Sequence, residues 1–440
     1  MNRTFPNAPF ALLLSAALIS ALPAQDADVK PVPAAETAAL ETAKPETPKQ
    51  EEKRLAEVVF VLDSTGSMSG LIEGAKQKIW SIANSIITQD PAPEVKIGLI
   101  SYRDKGDAYV TQQMDLTDDI DAVYAKLKSF HAGGGGGDMP ESVNQALWEA
   151  VNKMSWTPKE KNVYRVIFLV GDCPPHMDYQ DDVKYPETCK QALEKFVIIN
   201  TVQCGNESST TPIWQEIARK SEGQFVQIGQ TGSMVARTSP FDEQIANLTK
   251  ELAATVVPYG SETRQMEVMG KLKFAESADL FSQASRAEFN LNSRGRAVQG
   301  AGDLVQSIND NEISLDKIEK NALPPEMQKL SPEELEKIIK EKQQKRAELN
   351  AQIQDLSKKR ATWLAEDAKT RTAEAKKLRA ERRSGVRFFR AEVAAPSEKA
   401  AAHGGARMLN AVESPAPADD SPAFDDSVSE IITEQMNKEK

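Results

Sequence analysis

Asp63, Thr65 and Ser67 place one carboxylate and two hydroxyls at alternate positions of a short loop of small residues, Asp63-Ser64-Thr65-Gly66-Ser67. All three are hard oxygen donors. They suit Mg²⁺, Mn²⁺ or Ca²⁺ better than zinc or copper, which favour imidazole and thiolate. The run before them, Val58-Val59-Phe60-Val61-Leu62, is continuous, apolar and largely β-branched, as in a strand buried on both faces. The donors therefore stand at the C-terminal end of a strand, where open α/β sheets bind their ligands.

From Leu55 to about Tyr259 the pattern repeats. Apolar runs at 57–62, 95–102, 164–171, 197–203 and 224–228 predict strands. Amphipathic stretches at 69–89, 118–130, 140–153, 186–196, 211–221 and 240–256 predict helices between and after them. Such alternation implies an α/β fold: a doubly wound, mostly parallel, Rossmann-like sheet covered by helices on both faces. Segment 108–115 reads as a short antiparallel edge strand.

The remainder of the 440 residues is organised differently. Arg3 followed by the apolar run Phe10–Leu22, with small residues at Ala21 and Ala24, reads as a secretory signal over 1–24. Residues 25–54 are Ala, Pro, Glu and Lys, the composition of a disordered linker. Residues 260–330 have irregular punctuation and read as a connector. Ser331, Pro332 and Glu334 form a capping box that starts a helical region over 331–383. Its stripe of Leu335, Ile339, Leu349, Ile353, Leu356 and Trp363 is interrupted by Lys342, Arg346 and Arg360. Three cations on that stripe favour a helical hairpin, or a helix lying on a neighbour, over a dimeric coiled coil. Residues 384–422 again read as a disordered linker, and 423–440 as a short amphipathic helix able to dock in cis or on a partner.

The first loop resembles the Asp-x-Ser/Thr-x-Ser metal-ion-dependent adhesion site of von Willebrand factor type A (VWA) domains, and the resemblance covers about 55–259. It implies two further ligand loops. One is the run of five glycines ending in Asp138-Met139-Pro140-Glu141. The other is Leu169-Val170-Gly171-Asp172, a second apolar strand ending in an aspartate. The resemblance makes Asp172 the third-loop ligand, one that in VWA domains usually reaches the metal through water. By spacing, Gly137 stands where many adhesion sites use a threonine, so Asp138 is the oxygen expected to compensate. VWA sequences with Gly-Gly-Gly-Asp-x-Pro-Glu in this loop resemble the chain more than the integrin type does. The implied cofactor is a divalent cation, Mg²⁺ foremost and Mn²⁺ or Ca²⁺ as alternatives. The implied partner is a protein that presents a carboxylate to that ion.

Other features narrow the reading. The chain carries 54 basic and 65 acidic residues, a net charge of -11, which argues against a nucleic-acid partner. No segment beyond the signal is expected to span a membrane. Three histidines give little basis for a zinc cluster or a Ser-His-Asp triad, and no general base stands out beside the metal loops, so no enzyme activity is expected. His176 reads as a loop residue after two prolines, or as a partner tuning a metal ligand through a hydrogen bond. Glu141 reads as a helix-opening carboxylate. Asn206-Glu207-Ser208 matches the N-glycosylation pattern. In an oxidising compartment Cys189 and Cys204, both expected at one rim of the sheet, form the expected disulfide, with Cys173–Cys189 as the alternative. The function expected is that of a secreted or periplasmic binding protein. The alternative is a cell-envelope scaffold that acts through its helical region and has a non-functional metal site.

Overall fold

The computed structural model describes residues 54–135, 137–158, 162–234, 236–392 and 423–438. The expected signal segment, nearly all of the first linker and residues 393–422 lie outside the described residues. No helix among the described residues is long and apolar enough to cross a membrane.

A six-stranded sheet forms the centre of the fold, built from β1 (Leu55–Asp63), β2 (Glu94–Tyr102), β3 (Thr111–Thr117), β4 (Val163–Gly171), β5 (Ile198–Cys204) and β6 (Phe225–Ile228). Its order is β3-β2-β1-β4-β5-β6, parallel throughout except for β3, which pairs antiparallel with β2 at the edge. The edge strand begins and ends about two residues later than the alternation suggests. β1 and β4 are neighbours, with Leu62 opposite Val170. The strand order reverses there, so the loops carrying Asp63 and Asp172 leave the sheet side by side.

Side-chain alternation sends each strand's apolar residues to both faces, as a doubly covered parallel sheet requires. On one face α3 (Val143–Lys153), α4 (Tyr185–Glu194) and α5 (Thr210–Lys220) enclose Val59, Val61, Ile167, Leu169 and Ile199. On the other, α1 (Ser69–Ile87) and α2 (Ile120–Ser129) cover Val58, Phe60, Val166, Phe168 and Val202. That second face is completed from far along the chain. The helix Phe424–Lys438, labelled α11 below, buries Phe424, Val428, Ile431, Ile432 and Met436 in the same cluster. The amphipathic tail thus docks in cis.

Between β6 and α11 lies a helical layer. It comprises α6 (Asp242–Ala253), α7 (Glu262–Glu276), α8 (Leu280–Asn292), α9 (Leu304–Asn309) and α10 (Pro332–Glu392). The expected connector at 260–330 is therefore largely helical. α7 buries only Val268 and Ala275, so it has no legible stripe. α6, expected to cover the sheet, instead packs Ile245 and Leu252 with Ala284, Ala287, Leu349 and Ile353 of α8 and α10. The layer meets the sheet unit through α8. Phe289 lies 5.5 Å from the Trp80 ring, and buried Arg286 holds Asp121 with two bonds of 2.6 and 2.7 Å.

α10 is one continuous helix, not a hairpin, and extends nine residues past the expected end. Its capping box forms as expected: Ser331 N donates to Glu334 Oε2 at 2.8 Å, and Glu334 N donates to Ser331 Oγ at 3.2 Å. The three cations on its stripe all find partners on the layer beneath. Arg346 Nη1 donates to Asp303 Oδ2 at 2.8 Å, Arg360 Nε to Asp242 Oδ1 at 2.9 Å, and Lys342 Nζ to the Ala254 carbonyl at 2.9 Å.

The expected disulfide is not formed: Cys173, Cys189 and Cys204 are all free thiols. Cys204 shares the parity of Val202 and faces α1, whereas Cys189 on α4 packs with Ile199 and Trp214 beneath the opposite face. The sheet separates the two sulfurs. Burial pushes the Cys189 thiol up to about 12 and that of Cys204 well above its usual range.

Candidate metal centre

Asp63 is fully buried at the end of β1. Its Oδ1 accepts from the Thr65 backbone N–H at 2.8 Å and from Thr65 Oγ1 at 2.7 Å. Thr65 Oγ1 lies 3.3 Å from Ser67 Oγ, so the structure brings together the three donors of the first loop. The loop is fixed from below: Ser64 Oγ donates to the Tyr102 carbonyl at 3.0 Å, and Ser101 Oγ donates to Ser64 Oγ at 2.7 Å. Asp63 Oδ2 is left buried with no hydrogen-bond partner among the described residues.

Asp172 follows β4 on the adjacent loop and is 8% exposed. Gln230 Nε2 donates to its Oδ2 at 2.7 Å, and its Oδ1 is likewise buried without a partner. Gly171 lets the two loops approach. A Cβ there would stand 2.4 Å from the Tyr102 hydroxyl and 3.1 Å from Asp63 Oδ2.

The third carboxylate is Glu141, which the sequence reading assigns to helix electrostatics. It is 2% exposed, and its Oε2 is also buried without a partner. The glycine run explains how it gets there. Gly134 and Gly135 take φ of +77° and +72°, values L side chains rarely adopt, and Gly135 N donates to Asp107 Oδ2 at 2.9 Å. A Cβ on Gly135 would lie 2.7 Å from Glu141 Oε1 and 2.8 Å from Thr65 Cβ. Backbone without side chain is thus wedged between the first loop and Glu141. Gly137, at the position where many adhesion sites use a threonine, faces open space, with nothing within 4 Å of an added Cβ. Asp138, the expected compensating ligand, is largely exposed and has its Oδ1 3.6 Å from His176 Nε2, in a separate grouping with Asp104. Glu141, not Asp138, supplies the extra oxygen beside Thr65.

The electrostatics follow from this crowding. Burial, then the charge of Asp172, pushes the Asp63 carboxyl up to about 7. Burial, then the charges of Asp63, Asp104, Asp107 and Asp172, pushes Glu141 up to about 9. Three neighbouring carboxylates, each with a buried, unpartnered oxygen, are costly unless a cation neutralises them. With Thr65 and Ser67 beside them, they make an all-oxygen set that fits a hard divalent ion. Only chain folding reveals Glu141 as a member. The available signal was its position three residues after Asp138, in the loop the glycines force toward Thr65.

The family comparison agrees with this architecture. Residues 57–234 match the von Willebrand factor A domain family. The alpha-protein kinase vwkA of Dictyostelium discoideum is 27% identical over 120 residues, 27% of this chain and 19% of that protein, so the chain spans about a fifth of that relative's length. The crystal structure of the SpRpn10 VWA domain superimposes with a TM-score of 0.31 at 17% identity, covering 40% of this chain and 89% of that one. The strand order, the paired aspartate loops and the family match over 57–234 together make this chain a VWA domain-containing protein.

Proposed function

We propose that this chain is a secreted or periplasmic recognition protein. Its VWA domain binds a divalent cation, Mg²⁺ foremost, through Asp63, Thr65, Ser67, Asp172 and Glu141, and captures a protein partner through a carboxylate. The observation that carries the reading is a buried, unpartnered oxygen on each of three charge-coupled carboxyls, Asp63, Glu141 and Asp172, at the C-terminal edge of the sheet. A divalent cation bound there supplies charge neutralisation and a position open to an incoming oxygen anion. The chain's own groups do the positioning. Thr65 orients Asp63, Gln230 orients Asp172, and the glycine loop keeps side chains away from Glu141. The role proposed is binding and not turnover, because the site presents acceptors and hydroxyls with no group placed as a general base toward an external substrate. The apolar run Phe10–Leu22 after Arg3 supports export.

Calorimetric titration of the intact chain with Mg²⁺ and Mn²⁺, alongside capture from envelope extract in Mg²⁺ or EDTA, tests the reading. Wild type should bind one Mg²⁺ ion and retain a partner only with metal. Asp63→Ala should lose both while keeping its circular dichroism spectrum. A wild-type chain that binds neither ion at millimolar concentration would overturn the proposal. A second reading, a scaffold acting through its helices, is favoured by one observation. Beyond Arg360, α10 extends as a polar helix with most of its described side chains exposed, touching the rest through the Asp367–Arg237 pair.

A further inference from the structure

Beside the VWA cluster, three loops bring together a second set of donors of different chemistry. Asp104 follows β2, Asp138 ends the glycine run, and His176 follows β4. Their ligand atoms all lie within 4.8 Å of one another. His176 Nε2 is 3.4 Å from Asp104 Oδ2 and 3.6 Å from Asp138 Oδ1. The ring is only 3% exposed, yet Nε2 has no hydrogen-bond partner among the described residues.

The surroundings decide which ring nitrogen faces the acids. Nδ1 lies 2.8 Å from Asp178 Oδ1, a contact in which the nitrogen carries the proton and the carboxylate accepts. In the neutral ring Nε2 then offers a lone pair, and that lone pair faces two carboxylate oxygens. Three acceptors converge; Tyr179 donates to one of them, Asp104 Oδ2, and no described donor reaches Nε2. Lys105, the cation above the Tyr179 ring, is tied to Asp181 at 2.5 Å and so serves another carboxylate. The set is also held still. Tyr179 stacks on the imidazole at 3.9 Å and 9°, and donates its hydroxyl to Asp104 Oδ2 at 2.8 Å; Ser142 Oγ donates to Asp104 Oδ1 at 2.8 Å. A carboxylate behind Nδ1 is the arrangement that orients metal-binding histidines and raises their basicity. Ligands about 2.1 Å from a shared ion at tetrahedral angles stand ~3.4 Å apart, close to the separations from Nε2.

We infer that Asp104, Asp138 and His176 form a second metal site, specific for a first-row transition dication such as Zn²⁺ or Co²⁺ and distinct from the all-oxygen VWA cluster. Imidazole with two carboxylates selects such ions over Mg²⁺, which prefers oxygen ligands and keeps its water. Asp138 is the exposed wall of the site, so the ion has an entry path and a position open to solvent or to a partner's side chain. Occupancy would tie the glycine loop to the loops after β2 and β4.

The test is a Co²⁺ titration of the untagged full-length chain in millimolar Mg²⁺, followed by visible d–d absorption. Wild type should take up one Co²⁺ at micromolar concentration and develop a spectrum that Zn²⁺ bleaches. Asp138→Ala changes an exposed residue, and Asp178→Ala removes only the group behind Nδ1. Both should fold, and each should weaken Co²⁺ binding by about 10–100-fold. Asp63→Ala should leave the Co²⁺ spectrum and affinity within about threefold of wild type. Absence of a Co²⁺ spectrum in wild type would overturn the site, as would unchanged affinity in both Asp138→Ala and Asp178→Ala. Loss of the spectrum in Asp63→Ala would assign the ion to the VWA cluster and equally overturn it.

Discussion

Removing one ring from α11 should weaken the sheet unit as much as a mutation in a strand, although 190 residues separate Phe424 from the last residue of the 57–234 family match. Phe424 is 1% exposed. Its ring meets Phe60 edge-on at 6.2 Å and 63°, and Phe60 stacks on Phe168 at 5.6 Å. The ring therefore closes an aromatic row across β1 and β4. Phe→Ala at a fully buried site costs about 3–5 kcal/mol, of which an edge-on aromatic pair accounts for roughly 1 kcal/mol. A domain of this size is stable by about 5–15 kcal/mol, so roughly a fifth or more of the total is at stake. With a urea m-value of about 2 kcal/mol/M, the midpoint should fall by roughly 2 M.

Intrinsic fluorescence reports the transition, because Trp80 belongs to the same core cluster. The control is Glu430→Ala on the exposed side of α11, expected within about 0.5 kcal/mol of wild type. Both variants should be melted in EDTA, so that metal binding does not mask the change. The same argument bears on truncation. A segment ending at residue 259 leaves the Phe60–Phe168 face uncovered, and it should bind hydrophobic dyes and melt broadly until a peptide spanning 423–438 is added. If Phe424→Ala melts with wild type, α11 is not part of the core and the reasoning fails.

Three further outcomes follow from the same contacts. In EDTA the chain should lose stability as pH rises from 5 to 8, because Asp63 and Glu141 titrate at about 7 and about 9 when folded but at 3.8 and 4.5 when unconstrained. Between those values the folded state holds protons that the unfolded state has released, so each group lowers stability by up to about 1.4 kcal/mol per pH unit; melts with saturating Mg²⁺ should flatten or reverse the trend. Gly135→Ala forces a Cβ into a left-handed backbone 2.7 Å from Glu141 Oε1, and calorimetry should show at least about tenfold weaker Mg²⁺ binding, with Gly137→Ala near neutral. Arg346→Met strands the buried Asp303 carboxylate, and urea denaturation should report a loss of about 3–5 kcal/mol in the helical layer.

What could be read in advance follows from how local each signal is. The strands through Phe60 and Phe168 are visible because a sheet covered on both faces needs uninterrupted apolar runs. Asp63, Thr65 and Ser67 are visible because their spacing within one loop already defines a donor set. Glu141 is not, since a carboxylate at the start of a helix satisfies the dipole equally well, and only the approach of Gly135 to Thr65 turns it inward. The cysteine pairing failed on parity: position along β5 locates Cys204 at the rim, but alternation puts its sulfur on the face away from α4.

The helical layer shows the same limit from the other side. Arg346 and Arg360 break an apolar stripe, and in isolation they weaken it. In the fold they are among the most buried side chains of α10, each held by an aspartate from the layer beneath. Their partners Asp303 and Asp242 look like surface acids in sequence, because nothing local shows that an arginine arrives from another helix. Apolar periodicity says that a face must be covered; it does not say by what. For α11 the cover includes Phe60 and Phe168, and for α10 it is an apolar cluster with buried ion pairs set into it. These polar contacts accept only one register, since sliding α10 by a turn would leave Asp242, Asp303 and both guanidinium groups buried and unpaired. The layer joined to the VWA domain is thus fixed in register by charge pairing as well as by apolar packing, and composition alone does not show that pairing.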